Sequence, residues 1–294
     1  MGQVWFSDSR AVGPADRAFR EGLRDLGYVD GTNVIIVARY ANGDATQLPA
    51  LVKDLIAVPV QVLLVSSAAV RSAMDTTKTV PIVCATMGSA FESGLVTSLS
   101  HPGGNLTGLS GQIGESHLKL LSMTKEILPG LTRIAMLYDA SFPENADYIS
   151  DFRGRAQGVG VTVNAFGVRD LEEIRIALKE IDRARSQALM LVISPVIGAH
   201  ADAIMDFMVH RIPVITDATE LAKAGPVIAY SENVLAMYRG SAAYVDKILK
   251  GAKPSDLPIE QPAKFQLVIN MKTAKALGLT IPQSLLLVAD EVIQ

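Results

Sequence analysis

The chain has 294 residues, more than one ordinary α/β domain uses and well matched to two lobes. With 49% hydrophobic and 19% charged residues it can bury sizeable cores, which excludes a disordered chain, and a net charge of −3 with scattered Lys and Arg leaves no footprint for nucleic acid. Cys84 is the only cysteine, which excludes an intrachain disulfide and argues against a thiolate metal cluster; inside an apolar run it reads as a buried, inert thiol.

The first strand is expected at Val4 to Ser7, with a loop from Asp8 to Gly13 and Pro14 near the start of a helix. Phe19, Leu23 and Leu26 recur at helical spacing until Gly27 ends that helix. A second strand is expected at Asn33 to Val37, then Tyr40, a polar loop and a helix around Leu48 to Ile56. Val62 to Val65 and Ile82 to Ala85 are short apolar runs suited to strands, with a helix over Ala68 to Thr77 between them. The turn-rich stretch around Gly103-Gly104-Asn105 lacks the setting of a dinucleotide loop and leads to a fifth strand at Leu106 to Leu109. Continuous apolar strands alternating with helices predict a parallel sheet covered on both faces.

A second lobe repeats this order. A helix near Ser116 to Leu128 precedes a strand at Arg133 to Tyr138, the loop Asp139 to Asn145 opens another helix, and a turn and strand follow over Gly158 to Phe166. Leu171, Ile174, Leu178 and Ile181 form one helical stripe. Strands are expected at Ala188 to Ile193, Pro213 to Ile215 and Val227 to Tyr230, the first two ending in the turns Ser194-Pro195 and Thr216-Asp217. Leu235, Tyr238, Ala242, Val245 and Leu249 make a second stripe that stops at Gly251, and the tail supplies a strand at Phe265 to Asn270 and a short helix at Lys272 to Leu277. No uninterrupted apolar run is long enough to span a bilayer. Met1-Gly2 ahead of the first strand fits an expression remnant in place of a removed export signal, so the missing signal leaves the compartment open.

Four stretches carry a resemblance: GYVDGTNVIIVARYANGD at Gly27 to Asp44, GLVTSLSHPGGNLTGLS at Gly94 to Ser110, YVDKILKGAKPSDLPIEQPAKFQLVINMKTAKALGLTIPQSLLL at Tyr244 to Leu287, and the closing ADEVI. The chain resembles, over essentially its whole length, the ABC-transporter substrate-binding proteins of the tryptophan/tyrosine type. That resemblance implies a type I periplasmic-binding-protein fold, with two Rossmann-like parallel-sheet lobes and a three-segment hinge. The N-terminal lobe would be 1–111 plus 231–262 and the C-terminal lobe 112–230 plus 263–294, hinged near Gly111 to Gly114, Tyr230 to Asn233 and Ala263 to Phe265. It further implies an extracytoplasmic or periplasmic monomer that needs no cofactor and catalyses nothing. Its partners would be a small-molecule ligand, either an aromatic amino acid or an aromatic carboxylate, and a membrane ABC permease. The alternative is a small-molecule sensor with the same fold and a signalling partner, and a cleft enzyme would reveal itself by turning its ligand over.

Open α/β sheets hold ligands at the carboxyl ends of their strands, where helix N-termini converge with unpaired N–H groups. On that rule Ser66, Ser67 and Ala68 are expected to grip a ligand carboxylate, with helix capping by Ser67 as the compatible bland reading. Met87 and Gly88 begin a second binding turn. Where relatives carry Gly-Asp-Pro-Val, this chain has Gly88-Ser89-Ala90-Phe91. Losing an Asp at Ser89 removes a partner for a ligand ammonium, which points away from an ordinary α-amino acid. Phe91 is either a ring stacked on the ligand or a core side chain. Ser7 and Asp8 follow the first strand, and Tyr138, Asp139 and Phe142 follow the first strand of the second lobe. Ser194, Asp217 and Tyr230 end later strands. Asp139 and Asp217 have helix capping as their alternative, and Asp217 is the best remaining candidate for an ammonium partner. His101, His117, His200 and His210 show no metal-ligand spacing and are expected on loops or polar helix faces.

Overall fold

A computed structural model describes residues 1–88, 94–141, 144–208, 210–261 and 264–294. The chain divides into two compact units, Met1–Gln112 with Glu232–Lys264 and Ile113–Ser231 with Phe265–Gln294, and passes from one to the other three times.

The first unit begins with β1 (Gly2–Trp5), α1 (Gly13–Asp25), β2 (Val37–Tyr40), α2 (Leu48–Ala57), β3 (Leu63–Val65), α3 (Val70–Thr76), β4 (Ile82–Cys84) and β5 (Leu106–Gly108). The strands form one sheet in the order β2-β1-β3-β4-β5, with every neighbouring pair parallel. Continuous apolar runs suit these strands because both faces are covered. Leu64 and Val83 enter a core with Phe19 and Leu23 of α1, whereas Leu63, Val65 and Ile82 enter another with Val52 and Leu55 of α2.

The second unit continues with α4 (Ile113–Ile127), β6 (Arg133–Asp139), α5 (Glu144–Gly158), β7 (Thr162–Val168), α6 (Leu171–Arg183), β8 (Leu189–Leu191), α7 (Pro195–Ala199), α8 (Ala201–Met208), β9 (Val214–Thr216) and β10 (Ile228–Glu232). The chain then returns to the first unit as α9 (Val234–Leu249), and closes in the second with β11 (Phe265–Asn270), α10 (Met271–Ala276), α11 (Gln283–Val288) and β12 (Glu291–Ile293). The seven-stranded order is β12-β11-β10-β9-β8-β6-β7. Met136, Met190 and Ile215 pack toward Leu120 and Phe152, while their neighbours Leu137, Leu189 and Val214 pack toward Ile174, Leu178 and Ile204. Alternate residues thus serve opposite faces, as the strand period requires.

The α9 stripe buries Tyr238, Ala242 and Val245 against Trp5, Phe19 and Leu23, but Leu235 is 48% exposed. This face docks unusually close to α1: a Cβ placed on Gly22 would lie 2.2 Å from the Arg239 carbonyl oxygen, so only glycine admits this crossing.

Some boundaries depart from expectation. The first strand stops at Trp5, so Ser7 lies beyond it. The second strand lies at Val37–Tyr40 instead of Asn33 to Val37, because the preceding residues fold into a local turn. In that turn Gly31 N–H donates to Val34 O, and the Asp30 carboxylate accepts from Ile36 N–H. Ser194-Pro195 is not simply a turn; it caps and starts α7, with α8 following directly.

Candidate functional site

In the first unit the loops after β1, β3 and β4 leave adjacent strands at the same edge of the sheet. The Ser66 hydroxyl accepts from Phe6 N–H at 3.1 Å and its N–H donates to Val4 O at 3.0 Å, so two of these loops are laced together. Ser66 is also the extended residue ahead of a 3-10 turn, Ser67–Ala69, that runs into α3, and no side chain caps this start. Capping therefore does not fall to Ser67. It sits inside the turn, exposed, with Ala68 half-buried beside it. The first N–H groups of such a turn have no partner within it.

Asp8 is exposed and spends one carboxylate oxygen on its own loop, accepting from Arg10 N–H at 2.8 Å and Ala11 N–H at 2.9 Å. Those backbone bonds, Ala11 foremost, hold its carboxyl below the ordinary value. Ser7 is half-buried between this loop and β1. Met87 is only 4% exposed and its side chain belongs to the core with Val65 and Cys84, leaving its backbone at the edge, where its N–H donates to Leu109 O. Gly88 O accepts from the Ser110 hydroxyl at 2.7 Å. Ser89 and Phe91 lie outside the described residues. Cys84 is buried at the end of β4, and burial pushes its thiol up to about 12.

In the second unit Tyr138 and Asp139 end β6. Tyr138 pairs in register with Gly167 of β7, and a Cβ on Gly167 would meet the Tyr138 ring at 2.9 Å, so the glycine lets the ring lie against the neighbouring strand. Asp139 is 2% exposed; its carboxylate accepts from Ser141 N–H and its carbonyl from the Asn145 side chain, which shapes the entry to α5. Phe142 lies outside the described residues. Ser194 caps α7 by accepting from Ile197 N–H. The half-buried Tyr230 ring stacks on Phe265, with centroids 5.3 Å apart and planes 13° from parallel.

Asp217 follows β9 and does not cap the 3-10 turn after it, whose leading residue is Ala218. One carboxylate oxygen accepts from Ile193 N–H in the loop after β8 at 2.8 Å, and the other lies 2.9 Å from His117 Nε2. His117 corrects the expectation that the histidines occupy loops or polar faces. Its side chain is fully buried on the inner side of α4, its Nδ1 bonds the Tyr148 hydroxyl, and Phe152 stands edge-on to its ring. Sequence reasoning missed it because Tyr148 and Asp217 lie 31 and 100 residues away. Among the described residues no cluster of three His, Cys, Asp or Glu side chains could hold a metal, and no helix is long and apolar enough to cross a membrane.

The chain is 23% identical over 272 residues to a tyrosine-binding protein of Clostridioides difficile, covering 90% of this chain and 76% of that protein. Among solved structures it superposes with a TM-score of 0.89 on an ABC domain in complex with L-Trp from Streptococcus pneumonia, at 25% identity over 99% of this chain and 98% of that one. A ligand-free, open substrate binding protein with adhesive properties from Clostridium difficile gives a TM-score of 0.74 at 20% identity, over 100% and 98% of the two chains, and shares the fold. The family described as ABC transporter substrate binding protein matches residues 10–293, and the chain belongs to that family.

Proposed function

We propose that this chain is the extracytoplasmic solute-binding component of an ABC importer. It captures an aromatic amino acid or aromatic carboxylate between two lobes, 1–111 plus 231–262 and 112–230 plus 263–294, and closes on it about a three-segment hinge. The observation that carries the reading is the edge of the first sheet, where Ser66 laces two loops together and leaves the first N–H groups of the 3-10 turn, those of Ser67 and Ala68, beside them, while Ala69 N–H turns back to Ser66 O. That is a fixed array of donors for a ligand carboxylate. The tyrosine-binding relative and the structure holding L-Trp support the aromatic class.

Closure about a hinge turns occupancy into shape, which a membrane permease reads without chemistry on the ligand. A micromolar affinity requires only about 8 kcal/mol, within reach of a few charge-assisted hydrogen bonds and one stacked ring after ordering costs. Titration calorimetry with tryptophan, tyrosine, phenylalanine and indole-3-propionate tests the reading. Saturable heat from at least one of them, with the ligand recovered unchanged, is the expected result; no heat from any of the four removes the aromatic class.

A further inference from the structure

We infer that His117 is a positioning residue for ligand specificity: buried beneath the edge of the second unit's sheet, it holds Asp217 so that the carboxylate receives a cationic nitrogen of the ligand. The inference rests on the binding function proposed above and narrows it to ligands that carry an ammonium group.

Three acidic side chains lie in the described loops singled out at the strand ends, and they differ in what they can offer. Asp8 is exposed and folded back on its own loop, and Asp139 is 2% exposed and turned onto Ser141. Asp217 is different. Its side chain is 12% exposed, and each oxygen is held by a group from a separate element, Ile193 N–H from the loop after β8 and His117 from α4. A carboxylate has about four acceptor sites, so two such bonds fix its direction and leave capacity for a ligand donor.

The imidazole must donate through Nε2, because an ionised carboxylate only accepts. In the tautomer in which Nδ1 accepts from the Tyr148 hydroxyl, both ring nitrogens are satisfied inside the protein and the ring brings no charge against the Asp217 carboxylate. A lysine or arginine at the same place would cancel the carboxylate's charge. In that tautomer the imidazole orients the carboxylate without cancelling its charge. This also supplies, from another element, the negative charge whose loss at Ser89 argued against an amino acid.

The test is the ratio of affinities for L-tryptophan and indole-3-propionate, which share the ring and carboxylate but differ in the ammonium. The unaltered protein is expected to prefer tryptophan by about tenfold or more, the scale of one charge-assisted hydrogen bond. His117→Phe should bring the ratio close to one, mainly by weakening tryptophan. Tyr148→Phe should lower it by about threefold, and His117→Gln, which keeps an N–H near Nε2, should restore part of it. If His117→Phe does not fold, Tyr148→Phe and His117→Gln carry the comparison. A purely structural histidine would weaken both ligands equally, so an unchanged ratio with binding intact overturns the inference alone. If neither is bound but tyrosine or phenylalanine is, the same ratio is read on that amino acid and its deaminated acid; binding of none of the four compounds overturns the proposed function and this inference with it.

Discussion

Tyr138 and Gly167 face each other across the parallel β6–β7 pair so closely that a single added methyl on Gly167 would stand 2.9 Å from the Tyr138 Cζ and hydroxyl oxygen and 2.9 Å from Ala140 Cβ. The ring therefore occupies space that any other residue at 167 would claim. Gly167→Ala should destabilise the second unit by about 1–3 kcal/mol, the usual cost of overfilling a packed site. Because the clash is shared, Tyr138→Ala in the same chain should cost less than it does alone, giving a coupling of at least about 0.5 kcal/mol in a urea-unfolding double-mutant cycle. Additive losses would mean that the ring moves aside freely.

Gly22→Ala sets two effects against each other. Alanine is the better helix former by about 0.8–1 kcal/mol, which favours the substitution in α1. The new Cβ would fall 2.2 Å from Arg239 O and 3.0 Å from Ala242 Cβ, and backbone of α9 cannot step aside as a flexible side chain would. The steric term should win and force the helices apart, with a net loss of about 1–3 kcal/mol on chemical denaturation. An unchanged or higher midpoint would show that α1 and α9 tolerate a wider spacing.

Most of the fold was legible because the apolar runs at Leu63–Val65, Ile82–Cys84 and Leu189–Leu191 are buried on both faces, so burial itself writes the pattern. The second strand was misplaced because NVIIVARY is apolar on both sides of its true start, and Ile35, which looks like core, is 71% exposed beyond the Asp30–Gly31 turn. Pro195 read as a turn although proline is at home in a first helical turn behind a capping serine, the arrangement Ser194 and Pro195 adopt. At the site, loop positions followed from strand order, but partners did not. That Ser66 bonds Phe6, and that His117 bonds Asp217, depends on contacts 60 and 100 residues apart, which no local spacing encodes.

Cys84, Tyr238 and Tyr244, all in the first unit, have their acidic groups pushed up, in each case chiefly by burial. For Cys84 the folded value is about 12 against 9.0 for the free thiol, so below pH 9 both states hold the proton and the stability is complete. As pH rises past 9 the unfolded chain loses its thiol proton while the folded one keeps it, and stability falls until the folded thiol also ionises. The tyrosines act in the same direction from their ordinary value of 10.0 upward. Unfolding free energy measured against pH should therefore be flat from this cause near neutrality and decline above about pH 9. At pH 8 the buried native thiol should resist a thiol reagent that reacts with it readily once denaturant exposes it. Rapid modification without unfolding would contradict the burial of Cys84.

Ser66 and Ser67 are neighbours with separable roles. Ser66 bonds Phe6 through its hydroxyl and Val4 through its N–H, so Ser66→Ala should lower the stability of the first unit by about 0.5–1.5 kcal/mol, the net value of one such bond. Ser67 is exposed in the 3-10 turn and its side chain caps nothing, so Ser67→Phe should leave the melting of the empty protein unchanged. If the N–H groups of that turn hold a carboxylate, the phenyl ring will cover them and weaken binding by about tenfold or more, as expected for charge-assisted bonds to an anion. Calorimetry of Ser67→Phe with the ligand that saturates the unaltered protein reads the second effect, and thermal unfolding without ligand reads the first. Equal affinity at equal stability would place the carboxylate elsewhere on the first unit or remove it from the ligand altogether.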